Sequence, residues 1–252
     1  MTRGKPLIVA ALGARGTGKS AYVKQRLEQL RPARLAVWDL MQEHGDGIVS
    51  TSKLGDAIRA MRARRFAVAF QPSRDDALRA RQFDTWCKAV LLAGDVLAIV
   101  EELRFVTTAS HAPGPWREMT LLGRHDRHRV SIIGTSQRPA HIDKDFLGNA
   151  DVVHCGRLTA RADARVAGEV LGVDFREVLA LPDLAYIERA ASSSTASRGA
   201  LKFAAARRAA PRARTTSLEP RPKDHVPTVE PSSRTVRAFS LEALSPASSQ
   251  PE

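Results

Sequence analysis

Gly13-Ala14-Arg15-Gly16-Thr17-Gly18-Lys19-Ser20 is the stretch on which the reading of this chain turns. Its spacing is GxxxxGK[ST], in which successive backbone N–H groups form a nest for phosphate, a lysine brings charge to it and a hydroxyl faces Mg²⁺. The flanks suit that geometry. The apolar run Leu7–Leu12 before the loop reads as a strand. Lys19–Leu30 after it places Tyr22, Val23, Leu27 and Leu30 on one side and reads as a helix whose positive end faces the loop. Gly13, Gly16, Thr17, Gly18, Lys19 and Ser20 are therefore the expected nucleotide-binding residues, with Lys19 on the β and γ phosphates and Ser20 on Mg²⁺. Arg15 is a variable position that flanks the phosphates or faces solvent.

Outward from the loop, short apolar runs alternate with helical patterns. Further strands are expected at 35–38, 66–70, 96–100, 130–135, 151–154 and 185–188. Helices are expected at 54–63, 77–93, 118–125 and 160–171. Several runs are apolar throughout, as strands are when helices cover both faces of a sheet. Strand-helix alternation of this kind implies a mainly parallel α/β sheet with right-handed crossovers.

Leu97-Ala98-Ile99-Val100-Glu101-Glu102-Leu103 ends a buried strand in two adjacent acids. In a parallel sheet, functional groups gather at the carboxyl ends of strands, so both acids are expected near the phosphate loop. Hydrolysis needs a cation against the leaving phosphates and a carboxylate aimed at the attacking water. Glu101 is assigned to the metal side and Glu102 to the water. A second strand, in Val130-Ser131-Ile132-Ile133-Gly134-Thr135-Ser136-Gln137-Arg138-Pro139, also ends in polar groups. Gln137 suits a sensor that hydrogen-bonds the γ-phosphate or the water, with Thr135 and Ser136 as alternatives.

Composition bounds the rest. Lys and Arg number 39 against 27 Asp and Glu, a net charge of +12 that favours a polyanionic partner. Residues 191–252 are rich in Ser, Pro, Ala and Arg and carry 10 basic and 5 acidic residues, so most of the chain's charge excess lies earlier. That segment reads as a mostly disordered tail after a domain spanning 1–190. Cys87 and Cys155 form no CxxC pair, which argues against a cysteine zinc site and suits a reducing compartment. His125 and His128 lack further ligands in sequence and read as surface or phosphate-facing residues. The apolar runs are too short to span a bilayer, so a cytoplasmic protein that is not itself transmembrane is expected. An Asn-Lys-x-Asp stretch is absent, against a GTPase, and no lid of paired arginines supports a kinase.

Taken together, the loop at 13–20, the acids at 101–102 and the run from Ser131 through Thr135-Ser136-Gln137-Arg138-Pro139 to Asp151-Val152-Val153-His154 resemble the FtsK/HerA-like branch of additional-strand ATPases. That branch includes DNA translocases, viral genome-packaging ATPases and zonular occludens toxin-like phage assembly proteins. The resemblance covers about residues 5–190. It implies a P-loop NTPase three-layer sandwich with a mainly parallel, RecA-like central sheet of the additional-strand type. It also implies ATP and Mg²⁺ as ligands, Glu102 as catalytic glutamate and Gln137 as sensor. Glu101 departs from it, since the family usually has aspartate there. Family members act mostly as hexameric rings in which an arginine completes the neighbouring site. Arg138 and Arg157 lead the candidates here, ahead of Arg124 and Arg161.

A homo-oligomeric ATP-hydrolysing motor for DNA translocation or packaging is thus the expected function. An assembly or export ATPase acting on a viral or membrane protein is the alternative, as is a nucleotide-dependent switch with weak hydrolysis. DNA would be held through its backbone, since aromatic residues are 5% of the chain and offer little for stacking. Arg62–Arg65, the Gly123–Arg129 loop and the tail arginines are the candidate contacts.

Overall fold

The computed structural model describes residues 5–44 and 47–201. The first strand, β1 (Ile8–Leu12), runs into the glycine-rich loop and then α1 (Lys19–Leu30). The chain continues through β2 (Arg34–Trp38), β3 (Val49–Thr51), α2 (Leu54–Met61), β4 (Phe66–Phe70), α3 (Asp76–Ala93) and β5 (Leu97–Val100). Next come α4 (Gly114–Leu122), β6 (Ser131–Ser136), α5 (Lys144–Gly148), β7 (Val152–Gly156), α6 (Arg161–Leu171) and α7 (Phe175–Ala180). The described residues end with β8 (Ala185–Ala190) and β9 (Ser197–Ala200).

These strands form one nine-stranded sheet in the order β3-β4-β2-β5-β6-β1-β7-β8-β9. Every neighbouring pair from β3 to β7 is parallel, and the β7–β8 and β8–β9 pairs are antiparallel. The polar-tipped β6 lies between β1, which carries the loop, and β5, which carries the acids. That extra strand is the additional-strand arrangement expected from the sequence.

Helices cover both faces, but unequally. One face packs Ile8, Ala10, Trp38, Phe70, Val100 and Ile132 against side chains of α2 through α7. The other packs Val9, Val37, Ile99 and Ile133 against Tyr22 and Val23 of α1 and against Leu201. Burial on both faces explains why β1 and β5 are apolar at every position. The chain's three tryptophans join Phe70, Phe83 and Phe146 in one aromatic cluster behind the sheet. There, Trp38 meets the Phe83 ring edge-on at 4.9 Å, and Trp116 tilts onto Phe146 at 5.5 Å. Arg34 ties the ends of two helices to the sheet: its guanidinium donates to the carbonyls of Met61, the last residue of α2, and Ala63 beyond it, and of Ala93, the last residue of α3, and Gly94 beyond it. Those are carbonyls a helix end leaves without intrahelical partners.

The expected strands are all present, with ends moved by a residue or two. The helix expected from Glu118 begins at Gly114 instead, because Pro115 fits a first turn whose N–H needs no partner. Four elements were not expected, among them the five-residue α5. β3 is only three residues long, α7 is six, and β9 (Ser-Arg-Gly-Ala) has no apolar run to announce it. β9 pairs with β8 and carries the sheet past residue 190, where the composition changes. The remainder of the expected tail, from residue 202, lies outside the described residues, as do its candidate arginine contacts. Among the described residues no helix is long and apolar enough to cross a membrane.

Candidate functional site

The register of the sheet brings the loop, the acids and the polar tip to one edge. Leu12 of β1 pairs with Ser136 of β6, and Gly134 of β6 pairs with Val100 of β5. Val100 in turn pairs with Trp38 of β2. The residues that follow each strand therefore emerge side by side at the carboxyl ends. They line a pocket of about 360 Å³ with Arg15, Gly16, Lys19, Ser20, Met41, Glu43, Glu101, Glu102, Thr135 and Gln137 on its walls.

The loop is held by its neighbours on both sides. The Gly13 N–H donates to the Ser136 carbonyl at 3.2 Å, and the Ala14 N–H to the Arg157 carbonyl at 2.8 Å. Gly13 sits at φ +148°, and a Cβ there would lie 2.5 Å from the Thr17 hydroxyl. Gly18 sits at φ +99°, and its Cβ would meet Leu201 at 2.3 Å. Both positions thus demand glycine for conformation and for space. Thr17 is buried and its hydroxyl donates to the Ala14 carbonyl, which closes the loop on itself. Such a cradle of backbone, too tight for side chains, is what an anionic phosphate requires.

Lys19 donates through Nζ to the Gly13 and Ala14 carbonyls at 2.8 and 3.1 Å. Burial lowers its pKa, and the Glu102 and Glu43 carboxylates oppose that shift. The Ser20 hydroxyl donates to Glu43 Oε2 at 2.6 Å. Ser20, Glu43 and Glu101 share one pocket wall region, a hydroxyl-plus-carboxylate set suited to Mg²⁺.

The two acids differ in their surroundings. Glu102 is buried in a left-handed backbone conformation, φ +49° and ψ +64°. A residue with a Cβ pays about 1–2 kcal/mol for that conformation, so its surroundings must enforce it. They do so through β6. The Glu102 N–H donates to Thr135 Oγ1 at 3.1 Å, and Glu102 Oε2 faces the Gln137 N–H at 3.4 Å. Glu101 instead turns toward β2. Its Oε1 lies 2.9 Å from His44 Nε2, and its Oε2 accepts from the Met41 N–H at 3.1 Å. Burial raises the Glu101 pKa against the opposing pull of His44. Burial alone would lower His44, but the hydrogen bond to Glu101 and the charges of Glu101 and Asp39 outweigh it and raise the pKa. Two buried acids facing one imidazole hold a proton more readily than water would.

Thr135 and Gln137 reach the pocket, whereas the Ser136 hydroxyl accepts from the Arg138 N–H behind it. The Arg138 side chain is not on the pocket wall. Its Nε donates to buried Asp163 at 2.7 Å, and it remains 42% exposed. Arg157 pairs with Asp183 at 2.6 Å on the surface. Arg124 pairs with Asp151 and Arg129 with Asp95. Asp39, Glu43 and His44 were missed in the sequence. The signal was there in Ala36-Val37-Trp38-Asp39, another apolar strand ending in an acid.

A second concave surface of about 710 Å³ lies at the opposite, amino ends of β1, β2, β5 and β6. Lys5, Arg26, Arg31, Arg64, Arg65 and Arg129 are on its walls. It unites arginines of the 62–65 run and the 123–129 loop, which are far apart in sequence.

No protein-family model matches the chain. Protein P9 of Pseudoalteromonas phage PM2 is 24% identical over 180 residues, which cover 69% of this chain and 78% of P9. The genome packaging NTPase B204 of Sulfolobus turreted icosahedral virus 2, in complex with AMPPCP, superposes with a TM-score of 0.63 at 14% identity, over 80% of this chain and 100% of B204. The bacterial conjugative coupling protein TrwBdeltaN70 superposes with a TM-score of 0.56 at 10% identity, over 79% of this chain and 85% of TrwB. With β6 set between the loop strand and the acid strand, this chain shares the fold of the genome packaging NTPase B204 and of TrwBdeltaN70.

Proposed function

We propose that this chain is an ATP-hydrolysing motor that moves DNA, of the translocating or genome-packaging type. The observation that carries this reading is the meeting of Lys19, Glu101, Glu102 and Gln137 around one pocket at the carboxyl edge of the sheet. The nucleotide-bearing packaging NTPase and the conjugative coupling protein that share the fold support it.

In this reading the backbone of 13–19 holds the phosphates, and Lys19 releases the loop carbonyls to donate to them. Ser20, with Glu101 and Glu43 beside it, would hold Mg²⁺, which would offset charge on the leaving phosphates. Glu102 orients the attacking water and accepts its proton. Its rigid backbone seat keeps the carboxylate aimed without reorganisation. Gln137 hydrogen-bonds the γ-phosphate or the water and, through Glu102, couples β6 to the reacting centre. The chains assemble as a ring, with Arg138 or Arg157 of one subunit serving the next. The basic cleft of Lys5, Arg26, Arg31, Arg64 and Arg65 grips DNA by its phosphates, independently of sequence. A cytoplasmic or virion-associated location follows from such a task.

A second reading has one observation in its favour. Glu101 is tied to His44 and Met41, so a slow, switch-like ATPase would result if that acid did not turn to the metal. The deciding measurement is ATP turnover by the full chain with Mg²⁺, with and without double-stranded DNA. Stimulation by DNA is the expected result, with a response that fades as salt rises. Turnover indifferent to DNA would overturn the motor and favour a protein substrate, and Mg²⁺·ATP binding without turnover would favour the switch.

A further inference from the structure

We infer that Asp39, His44 and Glu101 form a binding site for a first-row transition-metal dication, which shares Glu101 with the phosphate-loop Mg²⁺ position but takes its other ligands from Asp39 and His44. One ligand atom from each residue lies within 4.8 Å of the others, and all three side chains are buried. The strand register creates the cluster. Trp38 of β2 and Val100 of β5 are paired, so the next residue on each strand, Asp39 and Glu101, stands beside the other. The loop after β2 then folds back, with Gln42 at φ +57°, and brings the His44 ring over Glu101.

A second observation points to a ligand. Asp39 is fully buried, its Oδ1 accepts the Glu43 N–H at 3.0 Å, and its Oδ2 has no hydrogen-bond partner among the described residues. An unpaired buried carboxylate oxygen costs several kcal/mol unless a proton or cation meets it. His44 supplies at most one positive charge against two carboxylates. A dication would satisfy the orphaned oxygen and balance the pair.

The donor set, one imidazole nitrogen and two carboxylates, selects the metal class. Mg²⁺ and Ca²⁺ take oxygen ligands, whereas imidazole favours zinc and its first-row neighbours. Ligand atoms about 2 Å from a tetrahedral ion lie roughly 3.3 Å apart. The His44–Glu101 separation of 2.9 Å is already near that spacing, and a shift of the Asp39 carboxylate closes the third side. The ion would lock the loop after β2 onto the strand that bears Glu102 and fix Glu101 in place.

This site shares Glu101 with the ATPase reading, so the test measures metal uptake without nucleotide. Zn²⁺ is titrated into the nucleotide-free, metal-stripped full chain by calorimetry, with Co²⁺ absorbance as a second readout. One site per chain is expected, weakened at least tenfold in His44→Ala and in Asp39→Asn. Lys19→Ala should keep Zn²⁺ affinity while losing ATP. His44→Gln separates misfolding from ligand loss, since a folded variant that still loses the Co²⁺ bands supports the assignment. Wild-type Zn²⁺ uptake that His44→Ala leaves unchanged, or no uptake by a chain that binds Mg²⁺·ATP, would overturn the site and leave the ATPase reading standing.

Discussion

The hydroxyl of Thr135 accepts the backbone N–H of Glu102 at 3.1 Å, both residues being buried. One hydrogen bond thus joins the tip of β6 to the acid that follows β5. It helps hold Glu102 in the left-handed conformation that aims its carboxylate into the pocket. Thr135→Val keeps the shape and leaves that N–H without an acceptor. A loss of about 1–3 kcal/mol in denaturant unfolding is expected. ATP turnover should fall while ATP affinity holds, and Thr135→Ser should restore most of both.

Glu102→Gln keeps the volume and the backbone contacts of the acid but cannot accept a proton from water. Turnover should drop by roughly 10²–10⁴-fold. Equilibrium binding of ATP, followed by fluorescence of a labelled analogue, should change little. Normal hydrolysis by this variant would remove Glu102 from the role given to it.

Arg138 holds the buried carboxylate of Asp163 within its own chain and leaves part of its guanidinium at the surface. Arg138→Ala should therefore lower stability by about 1–3 kcal/mol as well as turnover, because Asp163 loses its counter-charge. If the guanidinium also serves the next subunit, mixing Arg138→Ala with Lys19→Ala chains should recover part of the activity. A mixed interface in which the Arg138→Ala chain supplies the nucleotide site and the Lys19→Ala chain the arginine then holds both groups intact. No recovery in mixed assemblies would confine Arg138 to the Asp163 pairing.

Leu201, the last described residue, follows β9, covers Gly18 and is buried against the α1 face. Its N–H donates to the Leu184 carbonyl at 2.9 Å. Ending the chain after Ala190 would remove both β9 and this cover. Burial of one leucine alone is worth about 2 kcal/mol. A chain ending after Leu201 should melt like the full chain, whereas one ending after Ala190 should melt lower and bind ATP more weakly.

His154 is buried in β7, stacked on Tyr22 at 3.7 Å, with Nδ1 3.1 Å from Glu188 Oε2. Burial lowers its pKa despite the opposing Glu188 charge, so the neutral ring donating to the carboxylate is the favoured state. The Glu188 pKa is lowered chiefly by that hydrogen bond. The signs agree. The unfolded chain takes up the His154 proton first, so stability falls as pH drops below about 6.5. The Glu188 contribution is lost further down, below about 4.5. Measured from pH 7.5 to 5, the unfolding midpoint of the wild type should decline relative to that of His154→Gln.

Much of this architecture is local information. Residues 13–20 carry the phosphate loop because glycine spacing, a lysine and a hydroxyl act over a few bonds. Apolar runs ending in Glu101-Glu102 and in Thr135–Gln137 mark strand ends for the same reason, since burial on both sheet faces leaves no polar alternation until the chain emerges. Short edge elements such as β3 and β9 escape this logic, because backbone pairing to a neighbour makes them strands and their side chains are mostly exposed. Strand order and register are non-local. They placed β6 between β1 and β5, set Asp39 beside Glu101, and let the loop after β2 bring His44 onto that acid. Glu101 and Glu102 are neighbours in the chain, yet they face different partners, β2 on one side and β6 on the other. The backbone turns left-handed at Glu102, and that turn is enforced by contacts 33 residues away.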